Sequence, residues 1–522
     1  MGIEKLEQLL LQIGTSIFNV KTEAKDKEGR FYYKQDFKPE LLSKYLSMKF
    51  HIKTCSSSYY KLPHDMYSYN STGGIYVNNT EKELKQFIKR MYPMDFTDIP
   101  LEKVYIDIRS TTETPRPSAI DCPDYIPMGR KTLHILQENG VYSVETVEHT
   151  HKRFIILGIP TNYEHLNAIG LPDPDQEKIG REAFETYLSQ ILPEEKDRIT
   201  LQDYIGLCVI VPQLFNKALI ILGQTGAGKT TLMNIIMNAF GKTNCSAISL
   251  YRMSKERFHT AELENKRINI ADDLDSKDIS NVSQFKILTG GSDKVSIERK
   301  FKDPTEMYPM AKHIFSANQL PAIGGADTAF FSRFIIIKFK QKFPNGDKTI
   351  DKKLNIPAVN TYIIRWAVAG LLRTLNNNGF TYPQTAKEIA TIWSENNANP
   401  IVAFMSSPSV IYDPAGLYLY ADLEKDIIEF ARDRIIDELS SFNKPPNTSE
   451  IGRYINNQRG LTREKHTYKG FDKTFYRGIR PNYPTDYQNF DMGVTYGQTE
   501  RMDSSTQQEE FESQFNPPPD II

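Results

Sequence analysis

Apolar positions along the chain follow two periods. Ile3, Leu6, Leu10, Ile13 and Ile17 fall at helical spacing, and residues 38–50, 81–92 and 101–111 read as further helices. Residues 66–69 and 75–77 flank Asn70-Ser71-Thr72-Gly73-Gly74, which predicts a hairpin with a glycine-bearing turn. Strand patterns return at 132–136, 141–147 and 153–157, so residues 1–165 are expected to form an α+β domain. Pro172-Asp173-Pro174-Asp175 interrupts the pattern and reads as a loop. Residues 176–192 and 198–210 follow as two helices with polar faces, the basis for a helical collar over 166–212.

Between 213 and 345 the pattern changes. Residues 217–222, 267–271, 312–317 and 334–339 are nearly continuous apolar runs rather than alternating ones. Strands of that kind are covered on both faces, which points to a parallel sheet in an α/β domain. A helical segment over about 355–376 places a lid at 346–410. Residues 417–439 read as an amphipathic helix, 449–458 as a shorter helix and 468–479 as a strand, together a domain over 411–482. The expected fold class is therefore α/β and multidomain.

Charge divides the C-terminal part in two. Residues 443–482 carry nine Lys or Arg against three Asp or Glu, whereas 483–522 carry eight acids and one base, Arg501. The latter stretch is poor in aliphatic residues and predicts a disordered acidic tail. The whole chain of 522 residues is nearly neutral, at −1, so its net charge excludes no class of partner. Cys55, Cys122, Cys208 and Cys245 are dispersed and form no CxxC pair, which argues against a zinc ribbon and for a reducing compartment. His149-Thr-His151 has no cysteine nearby and reads as a surface or strand position. No run of eighteen apolar residues appears, the N-terminal stretch is too charged for a signal peptide, and Leu6 stands where a myristoylation motif needs Ser or Thr. The expectation is a protein without a membrane span, in the cytoplasm or a host cell's replication compartment.

Chemistry concentrates in the central segment. Gly223-Gln224-Thr225-Gly226-Ala227-Gly228-Lys229-Thr230, followed by Thr231, matches the Walker A pattern between an apolar strand and a helix. Glycines let backbone amides turn inward around phosphate oxygens, and the helix N-terminus adds a positive dipole end. Lys229 is predicted to reach the β- and γ-phosphates of ATP, and Thr230 to coordinate Mg²⁺. The apolar run ending in Asp272-Asp273 supplies carboxylates, one for the metal and one for the attacking water. Asp272 is favoured for the metal and Asp273 for the water, with the split left open and Asp275 as a spare. Asn318 ends the next apolar run and would place the water. Arg333, just before the last run, has the position of an arginine finger for a neighbouring subunit's ATP. Residues 295–304 alternate and then turn basic, predicting a hairpin with Arg299, Lys300 and Lys302 near its tip, suited to single-strand phosphates.

The order and spacing of GQTGAGKTT, INIADDLD, LTGGSDKVSIERKFKDP, HIFSANQLP and AFFSRFIIIKF resembles the superfamily 3 helicases, most closely the poxvirus-type and phage/plasmid-type primase–helicases. MYSYNSTGGIYV and DCPDYIPM resemble that family's pre-helicase domain, so the likeness spans about residues 30–400. The resemblance implies an AAA+-type P-loop core, a hexameric ring with ATP between subunits, and 3′→5′ translocation on single-stranded DNA. It also implies Walker A roles for Lys229 and Thr230, Walker B roles for Asp272 and Asp273, a sensor role for Asn318, a finger role for Arg333 and DNA-hairpin roles for Lys300 and Lys302. Many members carry a Glu where this chain has Asp-Asp. About 30 residues precede the likeness, too few for a primase, and the other D-x-D pair, Asp173 and Asp175, sits in the proline-rich break. Priming is therefore expected from a separate primase or sister chain.

The basic segment resembles a winged helix, with Arg453, Arg459, Lys465, Lys469, Lys473 and Arg477 available to phosphates. The function expected is an ATP-dependent replicative helicase acting on single-stranded and forked DNA. The alternatives are an ATP-switched initiator without unwinding activity and a packaging or partition ATPase on duplex DNA.

Overall fold

The computed structural model describes residues 8, 18–55, 65–78, 80–91, 99–115, 122–167, 171–255, 257–272, 274, 282–291, 294–299, 302–321, 327–344, 346–347, 349–397, 399–436, 444–458 and 460–487. The chain divides into two compact units, Met1–Asp173 with Ile210–Pro212, and Pro174–Val209 with Gln213–Ile522. Among the described residues, no helix is long and apolar enough to cross a membrane. The helix expected at 3–17 lies outside the described residues except for Gln8.

The first unit is mixed α and antiparallel β. Strands Asn19–Lys25 and Phe31–Phe37 pair as a hairpin. Helix Pro39–Lys49 starts on a proline, whose fixed φ suits the first helical position. With helices Thr80–Met91 and Leu101–Thr111 it buries a cluster of Leu42, Leu46, Leu84, Ile88, Val104 and Ile108. Strands Lys53–Cys55, Asp65–Asn70 and Ile75–Val77 make one antiparallel sheet, and Tyr125–Met128, Lys131–Glu138 and Val141–Val147 another. Residues 153–157 are not a strand, contrary to expectation. The apolar run Phe154-Ile155-Ile156-Leu157 is partly buried, and the segment accepts a backbone bond from Tyr76 N at Ile155 O, 2.7 Å, but joins no ladder. His149 bonds Thr132 Oγ1 at 2.8 Å and Gly129 O at 3.0 Å. The turn passes directly over its ring: a Cβ on Gly74, at φ +65°, would lie 2.3 Å from His149 Nδ1. This histidine is a structural clamp.

The second unit is built on a five-stranded parallel sheet in the order Cys245–Ser246, Ile268–Ala271, Lys312–Ala317, Ala218–Gly223, Phe334–Phe339. The apolar runs are buried on both sides, as their unbroken pattern requires. One core cluster joins Ile220, Phe285, Phe315, Phe330, Phe334 and Trp393. Helix Lys229–Phe240 follows the central strand. Helix Pro357–Asn376 packs beside it, and helices Pro174–Ile191 and Glu195–Leu207 pack on Pro357–Asn376. Pro174 and Asp175 begin a helix rather than lying in a loop, because proline is tolerated where the amide needs no intrahelical partner. Two of these helices cross at glycines: a Cβ on Gly206 would meet Leu371 N at 2.3 Å, and one on Gly370 would meet Gln202 O at 2.2 Å. The fully buried Asp203 locks the same contact, accepting from Arg373 Nε at 2.8 Å and Thr381 N at 2.9 Å.

At the C-terminal end, strand Val410–Leu419 pairs with Phe471–Pro481, which pairs in turn with Thr462–Tyr468. The helix expected from 417 starts at Tyr420, since 417–419 pair with 475–477 in the sheet. Helix Thr448–Asn456 is opened by a capping box between Asn447 and Glu450. Residues 483–487, which composition placed in the acidic tail, are described and end in a packed side chain. Tyr487 is buried against Leu417, Tyr468 and Phe475, an aromatic burial that charge counting overlooks. Residues 488–522 lie outside the described residues.

Candidate functional site

Ligands of open parallel sheets collect beyond the carboxyl ends of the strands. The predicted glycine loop and two of the predicted side chains emerge there from adjacent strands. The glycine loop follows Ala218–Gly223, Asp272 follows Ile268–Ala271, and Asn318 follows Lys312–Ala317. The register aligns them: Phe315 pairs with Ile220 on one side and with Ala271 on the other.

The loop has the backbone that its glycines permit. Gly226 and Gly228 have φ of +79° and +89°, a region that costs a side-chain-bearing residue strain. Gly228 caps helix Lys229–Phe240, so the first amides of that helix face the loop mouth. Thr225, Gly226 and Thr230 are exposed at the mouth, and Ala227 is buried beneath it. The Lys229 ammonium donates to Gly223 O at 2.6 Å, Gln224 O at 2.9 Å and Asn318 Oδ1 at 2.7 Å. The Asn318 amide nitrogen lies 3.4 Å from Thr225 Oγ1. One side chain thus touches both the lysine and the loop. Thr230 Oγ1 sits 3.2 and 3.3 Å from the two Asp272 oxygens, and Ser316 Oγ holds Asp272 through its carbonyl at 3.0 Å and its carboxylate at 3.2 Å. Gln224 takes part through its carbonyl, and Thr231 lies in the first helical turn.

This donor set is suited to a polyphosphate and a hard cation. Inward amides and an ammonium accommodate anionic oxygens. A hydroxyl beside a carboxylate fits Mg²⁺, which takes one or two carboxylates together with substrate phosphates.

Two further residues shape the loop that the sequence reading did not single out. The Tyr187 hydroxyl, from helix Pro174–Ile191, donates to Gly228 O at 2.9 Å. Burial, and then Asp351, push this phenol well above its ordinary pKa, so it remains a donor. Phe343 N donates to Gly226 O at 3.0 Å. Both carbonyls are held from outside the motif. Nothing in the motif itself signals them; only the apolar face of the preceding helix, with Tyr187 on it, carries a trace.

The other predicted residues are elsewhere. Arg333 precedes Phe334–Phe339, whose first residue pairs with Ala218, so it lies at the opposite end of the sheet from the loop. Five residues of strand separate the two ends, roughly 16 Å. There Arg333 Nη1 bonds Thr289 Oγ1 at 3.1 Å. Strand Val295–Arg299 pairs antiparallel with Lys302–Met307, forming a hairpin; Lys300 and the side chains of Arg299 and Lys302 lie outside the described residues. So do Asp273, Asp275 and Arg459. In the C-terminal segment, Arg453, Lys465 and Lys473 are exposed. Two of the predicted phosphate contacts are instead neutralised internally. Arg477 makes a forked pair with Glu464 at 2.6 and 2.9 Å, and Lys469 pairs with Asp486. Cross-strand register brings Glu464 to Arg477, and the chain after the last strand brings Asp486 to Lys469, neither of which a count of local charge anticipates.

A model for a family of unknown function, DUF5906, matches residues 221–333. No curated protein matches the chain. Among solved structures it is similar to the apo C-terminal region of NrS-1, at 13% identity and a TM-score of 0.41 over 84% of this chain and 99% of that one. A second apo structure of that region gives 12% identity and a TM-score of 0.38 over 85% of this chain and 100% of that one. The chain is also similar to the JCV helicase bound to a substituted acetamide, at 16% identity and a TM-score of 0.23 over 40% of this chain and 56% of that one.

Proposed function

We propose that the chain is an ATP-hydrolysing replicative DNA helicase, which forms a ring and moves 3′→5′ on single-stranded DNA. The observation that carries the nucleotide part is the convergence of Lys229, Thr230, Asp272 and Asn318 on one glycine loop. The ring and its polarity rest on the superfamily 3 resemblance of the motif order. A virus, phage, plasmid or integrated element is the proposed source, and a separate primase the proposed partner.

In this reading the loop amides and Lys229 hold the β- and γ-phosphates of ATP. Thr230 and Asp272 would hold Mg²⁺, which supplies charge neutralisation on those phosphates. Asn318, fixed between Lys229 and Thr225, orients the attacking water, and Asp273 accepts its proton. Arg333 lies too far from its own loop to help there, so it is assigned to a neighbouring subunit's γ-phosphate. The Arg299, Lys300 and Lys302 hairpin takes single-strand phosphates.

Tyr187 makes a finer check. Its hydroxyl holds a loop carbonyl rather than the reacting atoms, so Tyr187→Phe should raise KM for ATP about five-fold, the worth of one hydrogen bond, and leave kcat nearly unchanged. An unchanged KM would remove Tyr187 from the site.

The whole reading is tested by ATP-dependent strand displacement on forks with a 3′ tail, a 5′ tail or blunt ends. Unwinding confined to the 3′ tail is expected. Hydrolysis without unwinding on any substrate would transfer the assignment to an ATP-switched initiator.

A further inference from the structure

The hairpin of Thr462–Tyr468 and Phe471–Pro481 ends in a feature that phosphate binding does not explain. Lys469 and Gly470 both have positive φ, +53° and +79°, which makes the tight two-residue turn that matches strand twist. The last cross-strand pair is Tyr468 with Phe471. Tyr468 is buried, yet Phe471 is 69% exposed. A solvent-facing turn has no need of a phenylalanine, and its ring gains nothing from water.

The base beneath the tip is stiff. Tyr468, Phe475 and Tyr487 meet edge to face, with centroids 5.6 to 6.0 Å apart, over Leu417. The Lys469–Asp486 pair ties the turn to the chain that follows. Cations lie on both faces of the hairpin. Lys473 shares the face of Phe471, with its ammonium 5.8 Å from the ring centroid. Arg463 and Lys465 alternate onto the other face and are exposed. Among the described residues, none of these three is in an ion pair with a carboxylate.

We propose that this hairpin is a stacking pin for nucleic acid with an exposed base face, namely the junction between single and double strands. Phe471 lies on the terminal base pair or the first unpaired base. Lys473 on one side and Arg463 and Lys465 on the other take the flanking phosphates. An aromatic ring and surrounding cations are the combination that binds bases without reading their sequence. The same cations disfavour an apolar protein partner at the tip. The proposal rests on the DNA reading above but not on ATP hydrolysis.

The test uses the full chain without nucleotide and forked DNA carrying 2-aminopurine at the junction. Affinity is read by anisotropy and stacking by fluorescence quenching. Phe471→Ala should weaken fork binding about five- to a hundred-fold and abolish the quench. Phe471→Trp should restore both. Lys465→Gln with Lys473→Gln should keep the quench but flatten the dependence of log K on log salt by about 0.7–0.9 per cation removed. Wild-type affinity and quench in Phe471→Ala would overturn the proposal. So would a change of oligomeric state, by light scattering, with fork affinity intact, since the tip would then be a protein contact. If wild type binds no DNA, the pin and the DNA reading fall together. If it binds forks through Phe471 but never hydrolyses ATP, the pin stands and the motor reading alone fails.

Discussion

Lys229→Ala is expected to lower ATP turnover at least about 10²–10³-fold, the cost of removing one donor from a preorganised site that stabilises developing charge. Two losses combine in this substitution. The ammonium that would face the β- and γ-phosphates disappears, and so does the brace joining Gly223 O, Gln224 O and Asn318 Oδ1. The second loss reaches the neighbouring strand, so water positioning by Asn318 should fail along with phosphate binding. Phosphate release and nucleotide binding, measured on protein whose melting temperature stays near that of wild type, would separate these losses from unfolding. Turnover at the wild-type rate would refute the assignment of the glycine loop as the catalytic site.

Arg333→Ala should leave ATP binding nearly intact and lower turnover about 10³–10⁵-fold, the range of a missing arginine finger. The geometry sets this expectation. Arg333 immediately precedes the edge strand, at the end where Phe334 pairs with Ala218, whereas the loop leaves the other end of the central strand. A residue there acts on another copy's nucleotide or on none. Mixing Arg333→Ala with Lys229→Ala protein should recover part of the activity, because some interfaces then join an intact loop to an intact arginine. Activity that merely averages the two variants would show that sites are not shared, and would return Arg333 to a structural role through Thr289.

What could be read in advance follows the range of the interaction concerned. Local pattern sufficed for the parallel sheet, because strands covered on both faces are apolar throughout, as at Ala218–Gly223 and Phe334–Phe339. It sufficed also for the hairpin at Asp65–Asn70 and Ile75–Val77, whose turn residues leave few choices. Features set by partners distant in the chain were not legible. Tyr187 reaches Gly228 across 41 residues, and no local signal marks it as a brace for the loop. Segment 153–157 has the unbroken apolar run of a buried strand but no ladder to join. Lys469 and Arg477 counted as available cations until the returning chain placed Asp486 against the first and strand register placed Glu464 against the second. Tyr487 lay within a stretch whose composition suggests disorder, yet one aromatic ring with a waiting cleft is enough to order the residues that lead to it.

The position of the glycine strand has a consequence for synthesis. Ala218–Gly223 is the first of the five strands to leave the ribosome, yet both of its sheet neighbours, Lys312–Ala317 and Phe334–Phe339, come much later. At about 5–20 residues per second, the strand waits several seconds with both edges unpaired. Pairings so far apart in the chain are slow to form, and an open apolar edge invites association with other chains. A nascent chain stalled before residue 312 therefore carries the whole glycine motif and no binding site, and this unit is where co-translational chaperone dependence should be greatest.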